Sequence, residues 1–270
     1  MSWKTAGVLP DMHIPYHDTP SLDLVELILK DLGKLSEIIQ VGDFVDAYPI
    51  SKYAKNPAKA SGFDLQHEID EAHKVIRRLT NIAPLTILEG NHEVRLEKYL
   101  KEKAPGLYGL KTLKIKKLLT DITEVKRGKE VQVQLKNPVS YQISKYLGKL
   151  FVFHGDLWTK SGSRHAGQTA MQNVDRSGLN VMHGHIHRIG TYNVTKKGYE
   201  LKGYEIGCLC EMDVEYCHSP NWQWGFSVVT YRDNGDKAFF AEIVEIEKTA
   251  TGRRAFFRGK LYEVKEKKYE

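Results

Sequence analysis

The stretch Ile38-Ile39-Gln40-Val41-Gly42-Asp43-Phe44-Val45-Asp46 decides how this chain reads. A short, mostly apolar strand runs into a glycine turn that carries two carboxylates. A strand end holds a side chain more rigidly than the middle of a loop does. The absent Cβ of Gly42 lets the backbone turn sharply and come close to whatever Asp43 holds. By itself, Gly-Asp after a strand is a common turn. Its weight comes from four other strand ends that read the same way.

Toward the N-terminus, Ala6-Gly7-Val8-Leu9 is a strand that stops at Pro10 and leads into Asp11-Met12-His13. Ser21 is placed to cap a helix over Leu22 to Leu32, with Leu22, Val25, Leu29 and Leu32 at helical spacing and Gly33 as the stop. Toward the C-terminus, Asp64 to Leu79 puts Leu65, Ile69, Ala72, Val75, Ile76 and Leu79 on one helical face. Pro84 precedes a strand, Leu85 to Leu88, which ends in Glu89-Gly90-Asn91-His92-Glu93. This βαβ pattern predicts an α/β fold with a parallel sheet and ligands at the carboxyl ends of its strands.

Arg95 to Lys103 reads as a helix broken by Pro105-Gly106. The lysine-rich residues 106–140 read as an insertion beside the site, with Val131 to Leu135 alternating like an edge strand. Lys149 to Phe153 is a strand ending in His154-Gly155-Asp156. A Gly/Ser-rich loop and a helix over Ala166 to Asp175 follow. Leu179 to Met182 then ends in His183-Gly184-His185-Ile186-His187. From about residue 189 the pattern turns to β: Ile189 to Tyr192, Tyr204 to Cys208, Phe226 to Tyr231, Ala238 to Ile246 and Ala255 to Val264. Asp233-Asn234-Gly235-Asp236 forms a hairpin turn. No repeat or linker interrupts the chain, so a single domain over 1–270 is expected.

The composition, 41% hydrophobic and 27% charged over 270 residues, is that of a folded globular protein and not a disordered one. No apolar run is long enough to cross a membrane, and the first ten residues lack the apolar core of a secretory signal. The cytoplasm is therefore the expected compartment. The net charge of +6 favours anionic partners, nucleic acid among them, although lysine clusters such as Lys111 to Lys117 and Lys265 to Lys268 also read as solvated faces. Cys208, Cys210 and Cys217 are too few for a disulfide framework. Without Cys-x-x-Cys pairs, buried thiols are favoured over a zinc knot. The oligomeric state has no signature in the sequence.

Asp11, His13, Asp43, Asn91, His154, His185 and His187 each lie just after a predicted strand. In a mainly parallel sheet those ends converge on one edge. Oxygen and nitrogen donors without cysteine suit a hard or borderline divalent ion, manganese foremost, with iron, zinc or nickel as alternatives. Seven donors exceed what one such ion takes from protein, so two ions sharing a carboxylate is the natural count. Two cations about 3.5–4 Å apart neutralise a phosphoryl group and make hydroxide available at neutral pH. A lone Asp-x-His or a lone histidine would be uninformative. Five such strand ends, in this order, point to one site.

Asp11-x-His13, Gly42-Asp43-x-x-Asp46, Gly90-Asn91-His92-Glu93, His154 and Gly184-His185-x-His187 resemble the five ordered motifs of the calcineurin-like metallophosphoesterases, over about residues 6 to 190. The resemblance implies a four-layer α/β/β/α sandwich of two mixed sheets with a dimetal site at its rim. It implies that Asp11, His13 and His187 hold one metal, that Asn91, His154 and His185 hold the other, and that Asp43 bridges them. His92 would protonate the leaving oxygen and Asp46 would orient it. An imidazole beside a ligand is chemically suited to that role, the alternatives being a further metal ligand or a structural residue.

Protein Ser/Thr phosphatases of that superfamily carry phosphate-gripping arginines where this chain has Ala47 and Glu89, so another residue would have to grip phosphate. Arg164 and His165 are candidates, evenly balanced against surface charge at a helix start. The stretch Asp11 to Asp18 and the segment Trp222 to Phe226 are similar to small prokaryotic and phage-encoded members. The expected activity is hydrolysis of a phosphodiester in DNA, RNA or a nucleotide. A phosphomonoesterase is the alternative, and a non-catalytic binding scaffold of the same fold a minor one.

Overall fold

A computed structural model describes residues 2–52, 64–126, 129–159, 165–196, 198–212 and 220–266. Arg164, Cys217, Lys267 and Lys268 lie outside these described residues.

Two mixed sheets form the centre. The first contains β1 (Lys4–Leu9), β2 (Glu37–Gln40), β3 (Leu85–Leu88) and, farther along the chain, β6 (Val139–Gln142), all parallel. It is extended on the other side of β1 by antiparallel β12 (Gly225–Arg232) and β13 (Ala238–Glu245). The second sheet runs β10 (Ile189–Lys196), β11 (Tyr199–Ile206), β9 (Asn180–His183), β8 (Leu150–Phe153), β7 (Ser144–Leu147). A hairpin of β4 (Thr123–Lys126) and β5 (Lys129–Gln132) stands apart from both.

The sheets stack because their strands are apolar on both faces. In β2, Ile38 faces the helix side while Ile39 faces the other sheet. In β12, Phe226 and Val228 face the helices and Val229 and Tyr231 face the second sheet. This alternation gives three apolar layers, and each fully buried aliphatic side chain contributes about 1.5–3 kcal/mol. The helix layer of the first sheet holds α1 (Thr19–Asp31) and α2 (Leu65–Thr80), through Leu22, Val25, Ile28, Leu29, Ile69, Val75 and Ile76. The helix α3 (Val94–Lys103) follows β3. The short α4 (Ile115–Thr120) adds buried Leu119 to the same layer. On the far side of the second sheet, α5 (Gln168–Ser177) packs Val174 against Phe151, Phe153 and Val181. The chain is thus an α/β/β/α sandwich. No helix among the described residues is long and apolar enough to cross a membrane.

Several local expectations are corrected. The strand ends belong to two mixed sheets, as the resemblance implies, and not to the one mainly parallel sheet that the βαβ pattern alone suggests. The strands β6 and β7 carried no clear period and were not expected. Ala255 to Val264 is not one strand but a hairpin of β15 (Gly252–Phe257) and β16 (Lys260–Lys265), joined through Arg258 and Gly259 at φ 49° and 79°. With β14 (Glu247–Lys248) these form a third sheet, which packs Ala255, Phe257 and Tyr262 against the layer containing α1. In place of Val131 to Leu135, the strand there is β5, paired with β4.

The cap of α1 is Asp18, not Ser21. Its Oδ2 accepts the Ser21 N–H at 2.9 Å, and Pro20 in the first turn has no N–H to satisfy. Arg253 of β15 donates to the same carboxylate through Nε at 3.0 Å and Nη2 at 2.6 Å, with both side chains buried. Asp18→Ala is therefore expected to lower stability by about 3–5 kcal/mol, because it strands a buried guanidinium as well as uncapping α1. Urea unfolding measures this. A loss below about 1 kcal/mol, the worth of a cap alone, would show that the ion pair contributes nothing.

Candidate metal centre

The ligand candidates sit on tight turns at the ends of β1, β2, β3, β8 and β9. Among the described non-glycine residues seven have positive φ, and four of them are His13 (49°), Asp43 (49°), His185 (68°) and His187 (57°). Non-glycine residues take that backbone conformation uncommonly, Asp and His more readily than most, and such positions cluster at functional sites as well as in turns. Gly42, at φ 98°, has no room for a side chain: a Cβ there would lie 2.8 Å from His154 Nδ1 and 2.8 Å from Gly90 Cα.

Backbone hydrogen bonds stitch the turns together. The Asp43 carbonyl accepts the N–H groups of Met12 (3.1 Å) and His13 (2.9 Å). The Asp11 carboxylate accepts the His185 N–H at 2.9 and 3.0 Å. The Glu93 carboxylate gathers the N–H groups of Asp43 (2.9 Å), Phe44 (2.8 Å), Val45 (3.2 Å) and Gly90 (2.8 Å). Burial and the neighbouring Asp43 charge push Glu93 up to about 7, against the pull of those N–H donors.

The side chains form two half-clusters that meet at Asp43. On one side, His13 Nε2 lies 3.1 Å from His187 Nε2 and 3.8 Å from Asp43 Oδ2, and His187 Nε2 lies 3.5 Å from Asp11 Oδ1. On the other, Asp43 Oδ2 lies 3.3 Å from His154 Nε2, which is 3.0 Å from both Asn91 Oδ1 and His185 Nδ1. The sets His13–Asp43–His92 and Asp43–His154–His185 each place ligand atoms within 4.8 Å of one another. Donors about 2.1 Å from one ion lie roughly 3.0–3.5 Å apart, so these spacings fit divalent ions.

The distal ring nitrogens are held as well. His154 Nδ1 is 3.1 Å from the Val41 carbonyl, and His13 Nδ1 is 3.1 Å from Asp46 Oδ2. Such partners select the tautomer that aims the other nitrogen inward. Burial disfavours charge on both Asp43 and His154, but each offsets it for the other. The imidazoles of His154, His92 and His13 hold Asp43 well below the usual carboxylate range, and Asp43 lifts His154 to about 10. A proton on His154 thus balances the charge that a cation would balance, and metal binding would release it.

Every described candidate ligand is therefore in one cluster, and two of the other expectations are refined. Asp46 reaches His92 mainly through its backbone carbonyl, 2.8 Å from His92 Nδ1, while its carboxylate serves His13. His165 is exposed beside the first turn of α5, and the contacts above do not involve it.

Three residues without an assigned role stand at the site. Glu93 braces the turns. Cys210 puts its sulfur 3.9 Å from His187 Nδ1, behind the ring, and belongs to a third ligand-like set with His13 and His187. Arg95 reaches His92 and Asp46. Glu93 stood inside a motif and could have been found there. The Cys208-Leu209-Cys210 spacing marks Cys210 without linking it to the strand-end residues, and Arg95 carries no spacing signal.

Fold and cluster together define the class: an α/β/β/α sandwich with a buried histidine–carboxylate cluster at strand ends of both sheets. No protein-family model matches the sequence. The chain is similar to the Gene 54 protein of Mycobacterium phage D29, 27% identical over 252 residues that cover 89% of this chain and 94% of that one. Among solved structures it resembles the purple acid phosphatase PPD1 from yellow lupin (Lupinus luteus), at 13% identity and TM-score 0.42, covering 90% of this chain and 52% of that one. It also resembles zinc-complexed Vps29 from Entamoeba histolytica, at 12% identity and TM-score 0.37, covering 89% and 98%. Likenesses this distant do not bear on activity, which has to be argued from the cluster itself.

Proposed function

We propose that the chain is a two-metal phosphoester hydrolase acting on phosphodiesters of nucleic acid or nucleotides. The observation that carries this reading is the pair of half-clusters joined through Asp43 Oδ2, with four of the ligands in a left-handed backbone conformation. Asp11, His13 and His187 would hold one ion, Asn91, His154 and His185 the other, and Asp43 both. Bound there, two divalent cations, manganese foremost, neutralise phosphoryl oxygens and lower the pKa of water.

The chain's own residues do the rest. Val41 and Asp46 orient the imidazoles, and Glu93 fixes the turns. His92, beside Asn91, is placed to protonate the leaving oxygen. Burial pushes its imidazole down to about 4 against the pull of Asp43, so it stands neutral here. An anionic substrate alongside raises its proton affinity, so His92 would take up from solvent the proton that it then gives to the leaving oxygen. The net charge of +6 and the exposed Lys111, Lys114, Lys116 and Lys117 favour a polyanionic substrate over a small neutral one.

The test is metal analysis combined with hydrolysis of a chromogenic phosphodiester, then a panel of single-stranded DNA, RNA, cyclic nucleotides and phosphomonoesters. The expected result is about two ions per chain and chelator-sensitive diester cleavage that manganese restores. Two bound ions with no hydrolysis of any phosphoester would overturn the reading. Hydrolysis of monoesters alone would restrict it to phosphatase chemistry.

A further inference from the structure

Arg95 rises from the first turn of α3 into the site. Its Nη1 donates to the Asp46 carbonyl at 2.7 Å and lies 3.3 Å from Asp46 Oδ1, and its Nη2 lies 2.7 Å from His92 Nε2. A guanidinium has donors only, so His92 Nε2 is the acceptor in that contact. The Nδ1 of His92 then carries the hydrogen and donates to the Asp46 carbonyl at 2.8 Å. Arg95 therefore occupies the one nitrogen of His92 that faces the Asp43 carboxylate, 3.7 Å away. Its side chain is 18% exposed, so part of it meets solvent, and a helix anchors its stem.

A neutral imidazole is a weak partner for a guanidinium. A phosphate group offers two anionic oxygens in the planar spacing that the guanidinium fork matches, and such charge-assisted bonds are about twice as strong as neutral ones. We infer that Arg95 is the phosphate-gripping residue of this site. It binds a non-bridging phosphoryl oxygen of the substrate and, by leaving His92 Nε2 for that oxygen, frees His92 to face the leaving group. This rests on the phosphoester reading above and adds to it the group that binds the phosphoryl oxygens from the protein side.

The experiment uses metal-loaded full-length protein, Arg95→Gln and Arg95→Lys, with inorganic phosphate as the probe. Calorimetry gives the phosphate affinity, and steady-state kinetics on a chromogenic diester give KM and kcat. Arg95→Gln is expected to weaken phosphate binding and raise KM by roughly ten- to a hundredfold, the worth of a hydrogen bond to a charged group, with metal content unchanged. Arg95→Lys should recover only part of this, because a point charge cannot bond two oxygens at once. Unchanged phosphate affinity and KM in a folded, two-metal Arg95→Gln would overturn the assignment while leaving the hydrolase reading intact. Wild-type protein that binds two ions and phosphate but cleaves nothing would sink the hydrolase reading instead. Its phosphate affinity, compared with that of the variants, would still decide the role of Arg95.

Discussion

Asp43→Ala is expected to empty both metal positions at once. Its Oδ2 approaches the inward nitrogens of both half-clusters, 3.8 Å from His13 Nε2 and 3.3 Å from His154 Nε2, while Oδ1 accepts the His92 N–H at 2.9 Å. Loss of a partner one shell farther out already costs roughly 10–100-fold in metal affinity, so loss of a shared ligand should exceed that for each ion. Metal analysis after dialysis should fall from about two ions per chain to near none, with hydrolysis lost in parallel. Retention of one tight ion would show that Asp43 serves only one half-cluster.

The metal-free protein supplies a second readout of the same charge. His154 is raised to about 10 in the fold, against about 6.5 for an unfolded histidine. A raised histidine contributes stability that is present below the unfolded value and is lost as pH climbs toward the folded one. The metal-free wild type should accordingly weaken between about pH 6.5 and 10, and Asp43→Ala should flatten that slope.

His92→Asn is the second large effect. Turnover is expected to drop about 10²–10⁴-fold, the usual contribution of a positioned proton donor, while both ions stay. Asparagine keeps the backbone N–H that Asp43 Oδ1 accepts, so the turn should survive. The competing role is visible in the geometry: His92, His13 and Asp43 also form a set with metal-ligand spacing. If the variant loses an ion together with activity, His92 is a ligand and the proton must come from elsewhere.

The candidate site was legible in the sequence to the extent that it is built from local devices. A strand of four to six residues, a turn that only glycine permits at Gly42, and a carboxylate, amide or imidazole just beyond it are all short-range features, and they recur at five strand ends. The partners of those candidate ligands were not legible. The resemblance implies that Asp46 orients His92, yet its carboxylate lies closer to His13, at 3.1 Å against 3.7 Å from His92, and it is the Asp46 carbonyl that meets His92 Nδ1 at 2.8 Å. Arg95 enters the sequence reading only as the first residue of the helix predicted over Arg95 to Lys103. Its contact with Asp46 spans 49 positions and exists only because the ends of β2 and β3 lie side by side.

The longer helices and the strands that precede the candidate ligands followed from periodicity and turn chemistry, which depend on neighbours in sequence, whereas β4, β6, β7 and the hairpin of β15 and β16 did not. Which sheet each strand joins did not follow. β1 takes β12 as a partner, pairing Lys4 with Tyr231, and β11 lies parallel to β9 instead of continuing the first sheet. Those choices depend on which apolar faces can be covered together, a property of the whole packed core. The convergence of Asp11, Asp43, Asn91, His154 and His185 on one point was therefore decided by the stacking of two sheets, since the strands that carry them only meet once that core is closed.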